Sequence, residues 1–139
     1  MRKKSRILLA IVIVVIIFLI ILILGSLFGT NSSHRCTESE NYKISMKEKN
    51  KVEEIFKEVE NFSDVEIKTN CKILKIFLYL SDDTDFNSIN KLTTDVISSF
   101  SSENLEYYDI ELFIESKNKE SEIYPKIGYK NKTSDKFVW

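Results

Sequence analysis

The sequence predicts an α+β fold: an N-terminal transmembrane helix, then a small αββαββ domain with two helices on one face of a four-stranded, mainly antiparallel sheet. Three observations predict it. Residues 7–24 contain no polar side chain. Two later segments place apolar residues at helical spacing. Four others read as strands, by alternation of apolar and polar residues or by apolar residues on both faces.

The chain opens with a basic segment, residues 1–6, carrying Arg2, Lys3, Lys4 and Arg6. The apolar run continues past Gly25 and Ser26 through Leu27 and Phe28, so the predicted anchor covers residues 7–28. About 20 residues rising 1.5 Å each cross a hydrocarbon core of about 30 Å. A cleaved signal peptide is the rival reading. Its apolar region is shorter, about 7–15 residues, and ends at an A-x-A-like site; the single alanine here, Ala10, lies inside the run. Cations stay cytoplasmic, and only Arg35 follows the span closely. The expected location is the cell membrane, single-pass, with the N-terminus cytoplasmic and the C-terminal domain external. The span carries no ionisable residue that would mark a relay or pore. Gly25 and Gly29 have helix-packing spacing, but at its outer end.

Residues 29–43 read as a polar stalk, and residues 44–139 as the external domain. Ser45 and Glu48 have the spacing of a capping box. Val52, Ile55, Phe56 and Val59 then form one apolar stripe, which predicts a helix to about Asn61. Residues 64–69 alternate as a half-buried strand. Residues 73–80 place Leu74, Ile76, Leu78 and Leu80 on one face and Ile73, Lys75, Phe77 and Tyr79 on the other, which predicts a central strand. Phe86, Ile89, Leu92, Val96, Ile97 and Phe100 mark the second helix. Residues 107–115 predict a strand with Tyr108, Ile110, Leu112 and Ile114 inward and Tyr107, Asp109, Glu111 and Phe113 outward. Residues 123–130 pair back, and Pro125 marks that strand as an edge.

Charge bounds the function. All 21 acidic residues and 16 of the 20 basic ones follow the span, leaving that part near −5 with both signs mixed. A nucleic-acid surface needs a concentrated basic face, so no nucleic-acid partner is expected. The one histidine, His34, sits in the stalk, and no C-x-x-C spacing occurs; no metal, no cofactor and no catalytic residue is expected. Asp83, Asp85 and Asn87 fit the start of a calcium loop, but Ser88 replaces the turn glycine and Thr94 the final glutamate. Helix capping explains these acids better.

Three sets of residues remain. Cys36 and Cys71 would both be external, where a pair is more often bridged than free. The alternative is two unpaired thiols. Phe77, Tyr79, Tyr107 and Phe113 would project from an uncovered sheet face as an interaction surface; cross-strand pairing alone is the competing explanation. Lys126, Tyr129, Lys130, Lys132 and Trp139 form a cationic, aromatic strip that would touch wall polymer or lipid headgroups, or that merely protects an edge strand. The resulting expectation is a membrane-anchored, non-enzymatic protein whose external domain binds another protein at the membrane surface. It would be an accessory subunit of a secretion- or conjugation-type assembly, or a small immunity or exclusion protein. The alternative is a tethered binding module for a small molecule or cell-wall component, with a pocket lined by Tyr79 or Tyr108.

Overall fold

Residues 41–139 are described by the computed structural model. The predicted basic segment, the span, Cys36 and the stalk up to residue 40 lie outside the described residues. Among the described residues no helix is long and apolar enough to cross a membrane.

The first helix, α1, spans Met46–Phe56 and starts at the predicted capping box. Ser45 Oγ accepts from the Glu48 N–H at 3.2 Å, and Glu48 Oε2 accepts from the Ser45 N–H at 2.7 Å. Each group satisfies a helix-end donor that has no partner within the helix. Val52 and Phe56 are fully buried. The helix ends before Asn61, where it was expected to stop. Residues 57–60 leave it through turns, and Asn61, at φ 60°, reverses the chain. Asparagine tolerates that left-handed conformation better than most residues.

Two strands follow, β1 (Phe62–Asn70) and β2 (Ile73–Leu80), paired antiparallel. Next come α2 (Phe86–Ser98) and a short helix absent from the sequence reading, α3 (Ser102–Tyr107). The strands β3 (Asp109–Ser116) and β4 (Lys126–Lys130) complete the domain. The sheet order is β1-β2-β3-β4, so β2 is central and β4 an edge, as expected.

The sheet is mixed rather than mainly antiparallel at its centre. The pairs β1–β2 and β3–β4 are antiparallel, but β2 and β3 run parallel, from Ile73↔Asp109 to Leu80↔Ser116. A parallel neighbour needs a connection long enough to return the chain to the starting end. The two helices between β2 and β3 supply it.

The helices cover one face of the sheet. Leu74, Ile76, Leu78, Leu80, Ile110, Leu112 and Ile114 are at most 1% exposed, whereas their alternate neighbours are half-buried or open. Tyr124 secures the far end of this core. Its hydroxyl donates to the Thr84 carbonyl at 2.7 Å, while the Thr84 hydroxyl donates to the Glu60 carbonyl at 2.5 Å. Burial pushes the Tyr124 hydroxyl up to about 12, and Asp83 and Asp85 add to the shift.

The last residues of the chain close one edge. Tyr129 and Val138 exchange two backbone hydrogen bonds of 2.8 Å across the outer side of β4. Phe137 enters the core. Trp139 meets Phe86 of α2 edge-on at 4.7 Å and donates from Nε1 to Asn90 Oδ1 at 2.8 Å.

Candidate functional site

The sheet face turned away from the helices carries the predicted aromatic residues, with one exception. Phe77 and Phe113 are register partners on the central parallel pair, and their rings stack at 4.9 Å. Tyr79 continues the row along β2, 6.5 Å from Phe77. Ile127 lies opposite Phe113, and Tyr129 opposite Glu111. These two are the most open of the set, at 57% and 42%. Alternation along β4 requires both to share the Phe113 face once Gly128 and Lys130 turn inward.

Charges frame this apolar row. Lys75 pairs with Glu111 across the strands at 3.5 Å, and its ammonium also lies 5.7 Å from the Phe113 ring. Lys68 bonds Glu66 at 2.9 Å and sits 5.6 Å from the Phe77 ring. Glu66 in turn faces Phe77 in the register. The result is an apolar strip of Phe77, Phe113 and Ile127 with cations and carboxylates at its rim. That arrangement suits contact with a protein surface, where an aromatic centre is enclosed by a polar border.

Tyr107 does not belong to this face. Instead of opening β3 it ends α3, stacking on Tyr42 at 3.9 Å and meeting Tyr108 edge-on at 4.8 Å. The expectation failed because capping by Ser101, whose Oγ accepts from the Asn104 N–H at 3.3 Å, winds residues 102–107 into a helical turn. Strand alternation therefore starts two residues later. Tyr42, Ile44 and Tyr107 pack against the core, and the Tyr108 hydroxyl donates to the Tyr42 carbonyl at 2.6 Å.

The five residues of the predicted cationic strip do not share a face. Tyr129 is on the open side of the sheet. Lys126 lies on the helix side, 4.6 Å from the Phe86 ring. Lys130 is only 2% exposed, and its Nζ donates to the Asn131 carbonyl at 3.2 Å. Burial lowers its pKa against the opposing pull of Asp109 and Asp135. Trp139 is committed to α2, and Lys132 is exposed.

Asp85 is the N-cap of α2, its Oδ1 accepting from the Asn87 N–H at 3.2 Å. Cys71 sits in the turn between β1 and β2 at φ 54°, and no free cysteine occurs among the described residues. Surface depressions of about 230–510 Å³ are lined mainly by polar side chains of the helical side and the entering segment. Neither Tyr79 nor Tyr108 lines them.

One carboxylate with a large shift was legible only in part. Glu48 does more than close its own capping box. Its Oε1 also accepts from the Ser101 N–H at 2.8 Å and from Asn104 Nδ2 at 2.9 Å, more than fifty residues away. Desolvation opposes its charge, but these bonds and those from Ser45 outweigh it and lower the carboxyl from 4.5 to about 2. The group is a structural clamp between two helix starts.

No protein-family model, curated protein or solved structure matches the chain.

Proposed function

We propose that this chain is a single-pass, membrane-anchored protein whose external domain docks another protein through its open sheet face. The observation that carries the reading is the stacked Phe77–Phe113 row, extended by exposed Ile127 and Tyr129, on a face that no described element covers. An apolar surface of this kind, rimmed by charge, is what docking uses. The uninterrupted apolar residues 7–24 behind four cations support the anchor and its orientation. Within this class, an accessory subunit of a secretion- or conjugation-type assembly and a small immunity or exclusion protein fit equally. A tethered small-molecule or wall-binding module is less well supported, because Tyr108 fills the core and spends its hydroxyl on Tyr42.

The test is photo-crosslinking of the full-length protein in its native membrane, with the probe placed at Ile127, at Tyr129 or at Lys91 on α2. The same protein is expected to be captured from the two sheet positions and not from Lys91. Ile127→Glu, at an open position that leaves the core intact, is expected to reduce that capture at least tenfold. Equal capture from all three positions, or capture unaffected by Ile127→Glu, would overturn the reading.

Cys36 and Cys71 are proposed to pair. Cys71 holds a left-handed turn position at a cost of about 1–2 kcal/mol relative to glycine's freedom there, so a specific role for its sulfur is reasonable. Lys72 beside it lies 5.6 Å from the Tyr107 ring, which stacks on Tyr42, so the turn and the start of the domain are neighbours. Five residues separate Cys36 from Tyr42, a stretch that reaches at most about 22 Å. A membrane-impermeant maleimide on intact cells is expected to label the protein only after treatment with a membrane-impermeant phosphine. Labelling without reduction would sink the bridge, and labelling only after lysis would sink the external orientation.

A further inference from the structure

The two edges of the sheet are treated differently. The outer side of β4 is covered by Val138. Among the described residues nothing pairs with the outer side of β1, although it is the longest strand, nine residues. Natural edges are usually blunted by proline, bulges or charges that oppose pairing. Here there is no proline, and the only register irregularity lies between Phe62 and Asp64, at one end. The stretch from Asp64 to Asn70 is regular.

We propose that β1 pairs antiparallel with β1 of a second copy, centred on Ile67, joining two domains into one eight-stranded sheet. Among the neighbouring registers, that one alone sets opposite charges against each other with no like-charged pair. A two-fold axis at Ile67 sets Glu66 opposite Lys68 of the other copy, twice over. It sets Val65 opposite Thr69 and Asp64 opposite Asn70. Centring on Glu66 instead would set Asp64 opposite Lys68 but would also oppose the two Glu66 carboxylates, which is unfavourable. Shifting by one residue between copies would turn one copy's apolar residues to the other face.

Backbone and shape agree with this register. Val65 N–H is held by the side chain of its neighbour Asp64, at 2.8 Å. The two-residue turn between the register partners Asn70 and Ile73 makes them a hydrogen-bonded pair, so Asn70, Lys68 and Glu66 turn their backbone groups to β2 and Val65 turns its own outward. The N–H and C=O groups of alternate residues point the same way in an antiparallel strand, so Ile67 and Thr69 also present theirs outward. Ile67 and Val65 are half-buried, an apolar pair at the rim of the core. Beside Ile67 and Thr69 lies a depression of about 230 Å³ whose lining includes Tyr42 and Ile44. Val65 of the second copy, opposite Thr69, is placed to enter it. The interface is isologous, each contact occurring twice, and it is independent of the partner proposed for the open face.

The experiment is disulfide trapping of the full-length chain in its native membrane. Directly opposed, hydrogen-bonded residues have Cα atoms about 5.5 Å apart, within disulfide range. Ile67→Cys, oxidised and then mapped by mass spectrometry, is expected to give a 67–67 link at twice the chain mass. Ile127→Cys, at the opposite edge, is expected to give at least fivefold less. A chain with Val65→Cys, co-expressed with one carrying Thr69→Cys, is expected to form the mixed link, which guards against loss of folding at Ile67. Adding Lys68→Glu to Ile67→Cys is expected to lower the dimer fraction at least fivefold, and adding Glu66→Lys as well to restore it within twofold. Dimer yield no greater than that of Ile127→Cys, insensitivity to Lys68→Glu, failure of the reversed pair to restore it, or a link from residue 67 to the chain's own residues 30–40 would each overturn the proposal.

Discussion

Glu48→Ala is expected to destabilise the domain by about 3 kcal/mol, because it leaves the donors of Ser45, Ser101 and Asn104 without their charged acceptor. In a domain of this size that corresponds to a fall of roughly 15 °C in melting temperature, read by circular dichroism of the full-length protein in detergent. Glu48→Gln is no rescue. Both carboxylate oxygens accept only: Oε2 from the Ser45 N–H and hydroxyl, Oε1 from the Ser101 N–H and Asn104 Nδ2. An amide would turn its NH2 toward one of these donor pairs and leave it unmatched. The pH dependence has a definite sign. Because the folded pKa is depressed, the contribution is complete above pH 4.5 and fades as pH falls toward 2. The wild-type domain is therefore expected to lose about 3 kcal/mol across that window beyond what Glu48→Gln loses. Parallel acid titrations of the two proteins would contradict the clamp.

Trp139→Ala is expected to cost about 2 kcal/mol, less than a fully buried tryptophan because the residue is 39% exposed. The ring touches Phe86, bonds Asn90 and lies over Gly128. A Cβ added at Gly128 would stand 2.9 Å from the Trp139 ring. Gly128→Ala should thus displace that ring and cost about 1–3 kcal/mol. The decisive comparison is the double variant. With Trp139→Ala already present, Gly128→Ala is expected to be nearly neutral, because the atoms it would meet are gone. A denaturant-melting cycle giving a coupling energy of about 1 kcal/mol or more checks this. Additive costs would mean that Gly128 matters for another reason.

Much of the domain was legible from residue spacing. The Ser45–Glu48 capping box, the stripe from Phe86 to Phe100 and the central strand with Leu74, Ile76, Leu78 and Leu80 buried appear as expected. Each depends on contacts a few residues apart or on a two-residue alternation that burial enforces. Of the candidate interaction face, Phe77, Tyr79 and Phe113 were found by that alternation. Ile127 was not, although the same rule applied across Gly128 and Tyr129 would have found it. Tyr107 was misplaced because strand and short-helix signals overlap at Tyr107-Tyr108, and a serine cap settled the matter.

Residues near in sequence thus determined which segments are helices or strands and which face each buries. Only the tertiary structure decided the parallel pairing of β2 with β3, the clamp from Glu48 to Ser101 and Asn104, and the fold-back that seats Trp139 over Gly128. Those features join groups far apart along the chain, and their energies depend on geometry that appears once the sheet has assembled. The basic flank and uninterrupted apolar run carry the membrane expectation on sequence alone, since partition into hydrocarbon depends on composition and length before it depends on fold. The open aromatic face exists only because the helices settled on the other side.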